Sequence, residues 1–560
     1  MVVRMVAAKS WRRLGPLLAL AIPLLGGSGG WAREKGWKQA PPLPTDMRDT
    51  LSTINKNSNL YLLYQQYRDN RDGLQRSARR ISLEEALALG IAGNPTLAAT
   101  VAEIQASQWS RVAVLREWVP SLTLKTSDPG VLGFASSTTR FETKTEGNEP
   151  IETLRFKRGF QSNPYGNLSW AFLDPSRGSR LASLAAQNNA LRNKFTFGSR
   201  ELILAIQTAY TSLQAALGRE KDYIELFNQA VHVYITAGRS GRPAGELSRL
   251  EAQAVTLLIA RVRAHRTSLE AADALASLIN LEPGSLALPS ELPAVVPAWP
   301  LSRTDSIQRA LERREELKAN AWDGDALLST ARAIRLRALP AVALSTQVKR
   351  VVGNQQEGSL TGEVSSKISR TSGFDTFYGL TFDWKLFDGG IRSAEANAVQ
   401  ARAQQTLAQG NLSRLAITRQ VADAYAAYVA SRILVDAARS DVEASRLSLK
   451  SALDEYESGR QKDGGTTVVQ ALSKLQTALD TYRNLLADQN ISVFQLQRFT
   501  ASWPERTEAM LQSRYGRWLP SPTSAPPVPA QAVPALPPAD MGGKGAPSLD
   551  LPTQEGQPRP

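Results

Sequence analysis

Residues 378–388 read Tyr378-Gly379-Leu380-Thr381-Phe382-Asp383-Trp384-Lys385-Leu386-Phe387-Asp388. Side chains of a strand alternate between two faces. Tyr378, Leu380, Phe382, Trp384 and Leu386 therefore share one face, and Gly379, Thr381, Asp383 and Lys385 the other. An apolar face with aromatics, backed by polar residues, suits a strand between lipid and a wet lumen. Its length, about 9–11 residues, is what a tilted membrane strand needs. The first five residues are the candidate lipid-facing set. An edge strand of a soluble sandwich reads the same way, so this stretch does not decide alone.

The first half of the chain carries a counterpart. Between Tyr165 and Leu173, Leu168, Trp170 and Phe172 alternate with Asn167, Ser169 and Ala171. Other pairs match in order: Val119-Pro120-Ser121-Leu122 with Leu339-Pro340-Ala341-Val342, Phe172-Leu173-Asp174 with Leu386-Phe387-Asp388, Ala209-Tyr210 with Ala424-Tyr425, and Gly238-Arg239 with Gly459-Arg460. The partners stay 213 to 221 residues apart, which argues for an internal duplication. Each copy reads as about two strands, the first pair separated by a polar loop over 133–163. Four strands cannot close a barrel, since bacterial single-chain barrels begin at about eight. Open strand edges cannot face lipid. Membrane strands here would require an oligomer, and three copies would bring twelve strands.

Helices occupy most of the remainder. Ser82-Leu83-Glu84-Glu85 is a capping box. It predicts a helix to about Trp118, kinked near Asn94-Pro95. Asp174-Pro175 opens a proline-free helix from Ser176 to about Arg242, and a return helix runs from about Glu246 to Asn280. In the second copy Val421, Tyr428, Val435, Val442, Leu449 and Tyr456 recur every seventh residue. Ala424, Ser431, Ala438, Ser445 and Ala452 run beside them at the same period. A sustained heptad is a seam that stays against a neighbouring helix, and small residues let that neighbour approach closely.

Residues 1–32 resemble a secretory leader, with Arg4, Lys9, Arg12 and Arg13 before an apolar run over Leu14–Leu25 and a small-residue site at Gly30-Trp31-Ala32. Residues 33–80 read as a linker and lead-in, 81–282 as repeat 1, 283–300 as a Pro-rich linker, 301–503 as repeat 2 and 504–560 as a disordered Pro-rich tail. With no cysteine and two histidines, disulfides, thiolate metal sites and His-based catalysis are poorly supplied. No catalytic constellation, metal set or cofactor box emerges, and an enzyme is not expected. The formal charge is +14, but basic residues are interspersed with acidic ones, so no nucleic-acid partner is expected.

These features together resemble the TolC-type outer-membrane efflux proteins over residues 81–503. The resemblance rests on two repeats, Ser82 to Leu87, Asn94-Pro95, Trp384 through Leu386-Phe387-Asp388-Gly389-Gly390, and Tyr456-Glu457-Ser458-Gly459-Arg460. It implies a mainly α fold with a small β part. Long helical hairpins would form a periplasmic α-barrel, and four strands per chain would join a trimeric transmembrane β-barrel in the outer membrane. It also implies a homotrimer in outer-membrane lipid, with an inner-membrane transporter and a periplasmic adaptor as partners, serving efflux or type I secretion. The tunnel entrance would lie at the turns carrying Arg239, Arg242 and Glu246, and Arg460, Lys462 and Asp463. Gln470 and Ser473 occupy positions where the family commonly has carboxylates. Weak cation selectivity or anion preference is therefore expected. An exported periplasmic coiled-coil protein is the alternative, and it leaves the alternating strands unexplained.

Overall fold

A computed structural model describes residues 59–71, 77–126, 133–143, 151–359, 365–459 and 464–520. The leader, Arg460, Lys462, Asp463 and the chain beyond 520 lie outside them. Two compact units emerge, each drawn from three segments of chain.

The first unit comprises residues up to 93, 205–297 and 428–492. Helix α1 (Asn59–Arg71) and strand β1 (Ser77–Ile81) arise where the sequence predicts only a lead-in. Leu60 and Tyr64 of α1 are buried, and the Tyr64 ring stacks 6.0 Å from Phe227. The helix has little amphipathic signal of its own. Tertiary contact, rather than propensity, selects it. Helix α2 (Leu83–Gly93) follows the predicted cap, where the Glu85 N–H donates to Ser82 Oγ at 3.1 Å. The predicted helix to Trp118 is two helices, because Asn94 ends the first and caps the next.

Strand β1 pairs in parallel with β6 (Ser285–Pro289), so the Pro-rich linker contains a strand. The Tyr210 hydroxyl donates to the Ile81 carbonyl at 3.2 Å and ties this ribbon down. Most of the unit's core lies in two long hairpins. Their helices are α4 (Arg177–Arg239) with α5 (Ala244–Leu278), and α8 (Ile391–Glu457) with α9 (Gly464–Phe499). Leu226, Phe227, Val231, Leu250, Leu257, Leu449, Leu472 and Leu479 meet in one cluster. All eleven predicted heptad positions of α8 are buried, from Val421 and Ala424 to Ala452 and Tyr456. Burying each large apolar side chain contributes about 1.5–3 kcal/mol before the entropy of ordering it.

The second unit comprises residues 94–204, 298–427 and 493 onward. Helix α3 (Pro95–Arg116) starts with Asn94 accepting from the Thr96 N–H at 2.9 Å. In repeat 2 the corresponding break falls at Arg314, between α6 (Arg303–Arg313) and α7 (Glu315–Leu336). The strands are β2 (Ser121–Thr126), β3 (Gly133–Thr143), β4 (Ile151–Ser162), β5 (Pro164–Leu173), β7 (Ala341–Ser359) and β8 (Ser365–Asp383). Helix α10 (Thr507–Tyr515) lies in the segment predicted to be disordered. Tyr515, Trp518 and Leu519 pack against the cluster of Leu97, Ile104 and Phe195, which supplies the apolar contact that the tail lacks by itself.

The six strands lie along four rows. β4 and β5 keep a constant register on β7, with Gln161 opposite Gly353 and Tyr165 opposite Lys349, so they act as one strand broken at Asn163. β2 and β3 pair with β5 and β4 on one side, and β8 pairs with β7 on the other. The predicted loop over 133–163 is thus largely strand. Its stretch Ser136-Ser137-Thr138-Thr139 has no apolar alternation to betray it. The second hairpin has strands of 19 residues each, not 9–11. At about 3.4 Å per residue they outreach a hydrocarbon core about 30 Å thick. β8 ends at Asp383, so Trp384 and Leu386 follow the strand rather than complete it.

Candidate functional site

Residues directly opposite on neighbouring antiparallel strands share a face. Leu122 faces Leu168, and Leu168 faces Thr346. Thr346 faces Tyr378, Leu344 faces Leu380, and Val342 faces Phe382. The other face holds Ser121, Thr123, Asn167, Ser169, Ser345, Gln347, Gly379 and Thr381. One face of the sheet is therefore mainly apolar around Val342 to Val352, interrupted by Arg350, and the other mainly polar, interrupted by Phe377 opposite Gln347 and by Tyr165 and Val351. Leu124 is 84% exposed and Tyr378 78%. So broad an apolar face in solvent marks a surface made for another apolar phase or partner. All five candidate lipid-facing residues are exposed, although only Tyr378, Leu380 and Phe382 belong to the strand.

The sheet curves. Along β7, Val348, Arg350, Val352 and Asn354 are exposed, whereas Lys349, Val351, Gly353 and Gln355 are half-buried. The polar face is the concave one. A hollow on it is lined by Ser137, Lys157, Gln161, Gly353, Gln355 and Thr371. Two glycines permit the curvature. A Cβ on Gly159 would meet the Asn354 carbonyl oxygen at 2.0 Å, and one on Gly353 would meet the Phe160 carbonyl oxygen at 2.8 Å.

The strand ends repeat the same joints in both halves. Trp170 Nε1 donates to the Trp118 carbonyl at 2.8 Å, and Trp384 Nε1 donates to the Ala338 carbonyl at 3.0 Å. The Asp174 carboxylate accepts from the Ser176 N–H at 2.9 Å, and Asp388 accepts from the Gly390 N–H at 3.0 Å. Each Asp caps the long helix that follows, where a carboxylate is favoured. Trp384 thus acts as a polar-tipped anchor at the end of the apolar band.

The other candidate positions lie in the first unit. The turn between α4 and α5 is made by Gly241 at φ +63°, and Gly459 at φ +68° starts the turn after α8. Arg239 is exposed and Arg242 is half-buried. Arg242 Nη2 donates to the Tyr456 carbonyl at 3.2 Å, and its guanidinium lies 4.9 Å from the Tyr456 ring centre. Glu246 is buried in the first turn of α5 and faces Tyr456. Burial first, and the Glu246 carboxylate second, push the Tyr456 phenol up to about 12. A Cβ on Gly465 would meet Glu246 Cγ at 2.7 Å, so glycine there lets α9 start against that carboxylate without displacing its side chain. Arg249 Nη1 donates to Thr466 Oγ1 at 2.8 Å. Arg242, Glu246 and Arg249 thus lock the two turns together. Gln470 and Ser473 sit three residues apart on the exposed side of α9.

Sequence reasoning missed the role of Gly465. It also missed a second tie further along the hairpins, where Arg483 grips Asp222 with two bonds of 2.7 and 2.9 Å. Tyr223 donates to Asp480 at 2.6 Å beside it. The hydrogen bond from Arg483 to Asp222 raises the arginine's pKa further. The only signal in the sequence is the pairing of Asp-Tyr on one hairpin with Asp-x-x-Arg on the other.

In the second unit, a charged cluster joins α4, α7 and α9. Arg498 lies 2.7 Å from Glu201 and 3.4 Å from Glu316, and Arg314 also grips Glu316. Burial alone would raise the Glu316 pKa, but the hydrogen bond and charge of Arg314, then the charge of Arg498, outweigh it. The carboxyl is held below its ordinary 4.5. A depressed folded pKa stabilises above the unfolded value, and the gain is lost as pH falls through the folded one. Thermal unfolding should therefore show Glu316→Gln less stable than the unmodified chain at pH 6, the gap closing below about pH 4.5. A gap independent of pH would assign the loss to packing.

No helix among the described residues is by itself long and apolar enough to cross a membrane. This combination of a curved, two-faced antiparallel sheet with long paired helices in duplicate is that of the outer-membrane channel fold. Residues 306–502 match the family model described as outer membrane efflux protein. Solved structures share the fold. The outer-membrane channel OprN is 18% identical with a TM-score of 0.56, covering 75% of this chain and 90% of its own. The CmeC outer membrane channel of Campylobacter jejuni is 14% identical at 0.56, covering 77% and 88%. The MtrE outer membrane channel of Neisseria gonorrhoeae is 15% identical at 0.56, covering 75% and 89%. Among curated protein sequences none matches the chain.

Proposed function

We propose that three copies of this chain form a conduit across the outer membrane and periplasm, for efflux or type I secretion. The observation that carries the reading is the sheet. It has four rows, an apolar convex face, a polar concave face, and outer rows paired on one side only among the described residues. Such a sheet is a third of a twelve-stranded barrel, and closure removes the edges that lipid forbids. The chain then works passively, with an inner-membrane transporter and a periplasmic adaptor supplying energy and cargo. No catalytic or cofactor chemistry is required of it. The exported coiled-coil alternative gives the apolar convex face no partner.

The tunnel entrance in this reading lies at the two helical turns, with Arg239, Arg242 and Glu246 at one, Gln470 and Ser473 further along α9, and Arg460, Lys462 and Asp463 adding charge at the other. Purified oligomer in planar bilayers should give discrete conductance steps, and a protein that inserts but never conducts would overturn the reading. The contacts of Glu246 and Arg242 with Tyr456 should hold the entrance narrow. Glu246→Ala with Arg242→Ala is expected to raise single-channel conductance several-fold. An unchanged conductance would place the narrowest point elsewhere.

A further inference from the structure

Two rungs of the sheet carry lysines on the concave face. One runs Lys125, Tyr165, Lys349 and Asp375 across the four rows. The other runs Ser137, Lys157, Glu357 and Lys367. Eight residues of β7 separate them, about 27 Å at ~3.4 Å per residue. Each rung sets two ammonium groups against one carboxylate. In the second, Lys157 Nζ lies 2.8 Å from Glu357 Oε1, so that carboxylate is neutralised by one lysine and Lys367 flanks it from the next strand. Arg155 shares this face beyond the second rung, and Asp383 closes it at the other end. The concave face therefore bears Lys125, Arg155, Lys157, Lys349 and Lys367 against Glu357, Asp375 and Asp383. Lys157 also lines the hollow described above.

The geometry points to a barrel lumen that favours anions, with the two lysine rungs as its selectivity-determining residues. The inference rests on the channel reading. In a trimer each rung becomes a ring of six ammonium groups and three carboxylates. Rings of side-chain charge decide which ions a pore favours. The surplus positive potential reaches about 10 Å at 0.1 M salt and further in dilute salt. Small organic carboxylates, sulfonates and phosphates are the solute class such a lumen would concentrate. This places selectivity in the sheet rather than at the helical turns, where the sequence alone had put it.

The test is the reversal potential of the full-length oligomer in planar bilayers under a KCl gradient. Chloride should be the more permeant ion, and its preference should grow as both solutions are diluted. Lys349→Glu with Lys367→Glu turns each rung into one ammonium against two carboxylates, and the permeability ratio should cross to favour potassium. Should that variant fail to assemble, Lys349→Gln with Lys367→Gln should still lower the chloride preference. Arg370→Gln, on the convex face, should leave the ratio unmoved. Potassium preference in the unmodified channel, or a ratio indifferent to both lysine variants, would overturn the inference while leaving the channel reading intact. A ratio that responds to Arg370→Gln would reverse the assignment of the faces. Absence of any conductance would instead fell the channel reading itself.

Discussion

Replacing Arg200 with leucine should destabilise the second unit by about 3–5 kcal/mol. Arg200 Nε donates to Glu315 Oε1 at 2.8 Å, and both side chains are only 7% exposed. The guanidinium also lies 3.5 Å from the ring centre of Trp503. Removing the cation strands the Glu315 carboxylate in a dry interior, and an unpaired buried charge costs far more than the pair contributes. The double variant Arg200→Leu with Glu315→Leu should recover most of the loss, because burying two apolar groups imposes no charge desolvation. Chemical unfolding of the single and double variants measures this. Equal losses in both would show that the site depends on shape rather than on charge.

The second large effect is expected at Gly159. Valine there places a Cβ 2.0 Å from the Asn354 carbonyl oxygen and 2.8 Å from Gln355 Cα. Both obstacles are backbone, so no rotamer change relieves them. β4 must part from β7, and with it the middle of the sheet. The expected outcome is loss of the assembled outer-membrane oligomer, while the far-ultraviolet helix signal of the solubilised chain persists. The helical hairpins draw their core from Phe227, Leu257, Leu449 and Leu472, not from the sheet. Gly373, beside which nothing lies within 4 Å of such a Cβ, should accept alanine with little effect and serves as the control. Normal assembly of Gly159→Val would mean that β4 and β7 are spaced more widely than described.

The helices were legible because a heptad repeats one physical demand many times over. Val421 to Tyr456 meet it six times, and every position is buried. The duplication was legible for a similar reason. Its partners mark joints such as Asp174 and Asp388, each of which accepts from the N–H two residues on. The strands over 133–162 were not, since Ser, Thr, Arg and Lys interrupt the alternation of Leu154, Phe156 and Phe160 and leave Phe134 as the one large apolar residue of the described start of β3. Their partner is distant in sequence: Arg158 lies opposite Gln356. Helix α1 and the segment through Leu519 escaped because their few apolar residues gain meaning only against Phe227 and Phe195.

At the helical turns, sequence named Arg242 and Glu246 as candidates but not the direction their side chains take. A glutamate in the first turn of a helix ordinarily meets water and the helix dipole. Gly465 opens the space that turns this one inward. The lysine rungs show the same limit, since Lys125, Lys157, Lys349 and Lys367 are scattered along the chain and only strand register brings them onto one face.

The central claim is that four strand rows per chain demand two further copies. Native mass measurement of the protein extracted from outer membranes in mild detergent tests it most directly. The account predicts a single species of three chains, which converts to monomer only on heating. A monomer in the membrane fraction, or an assembly of any other number, would contradict it.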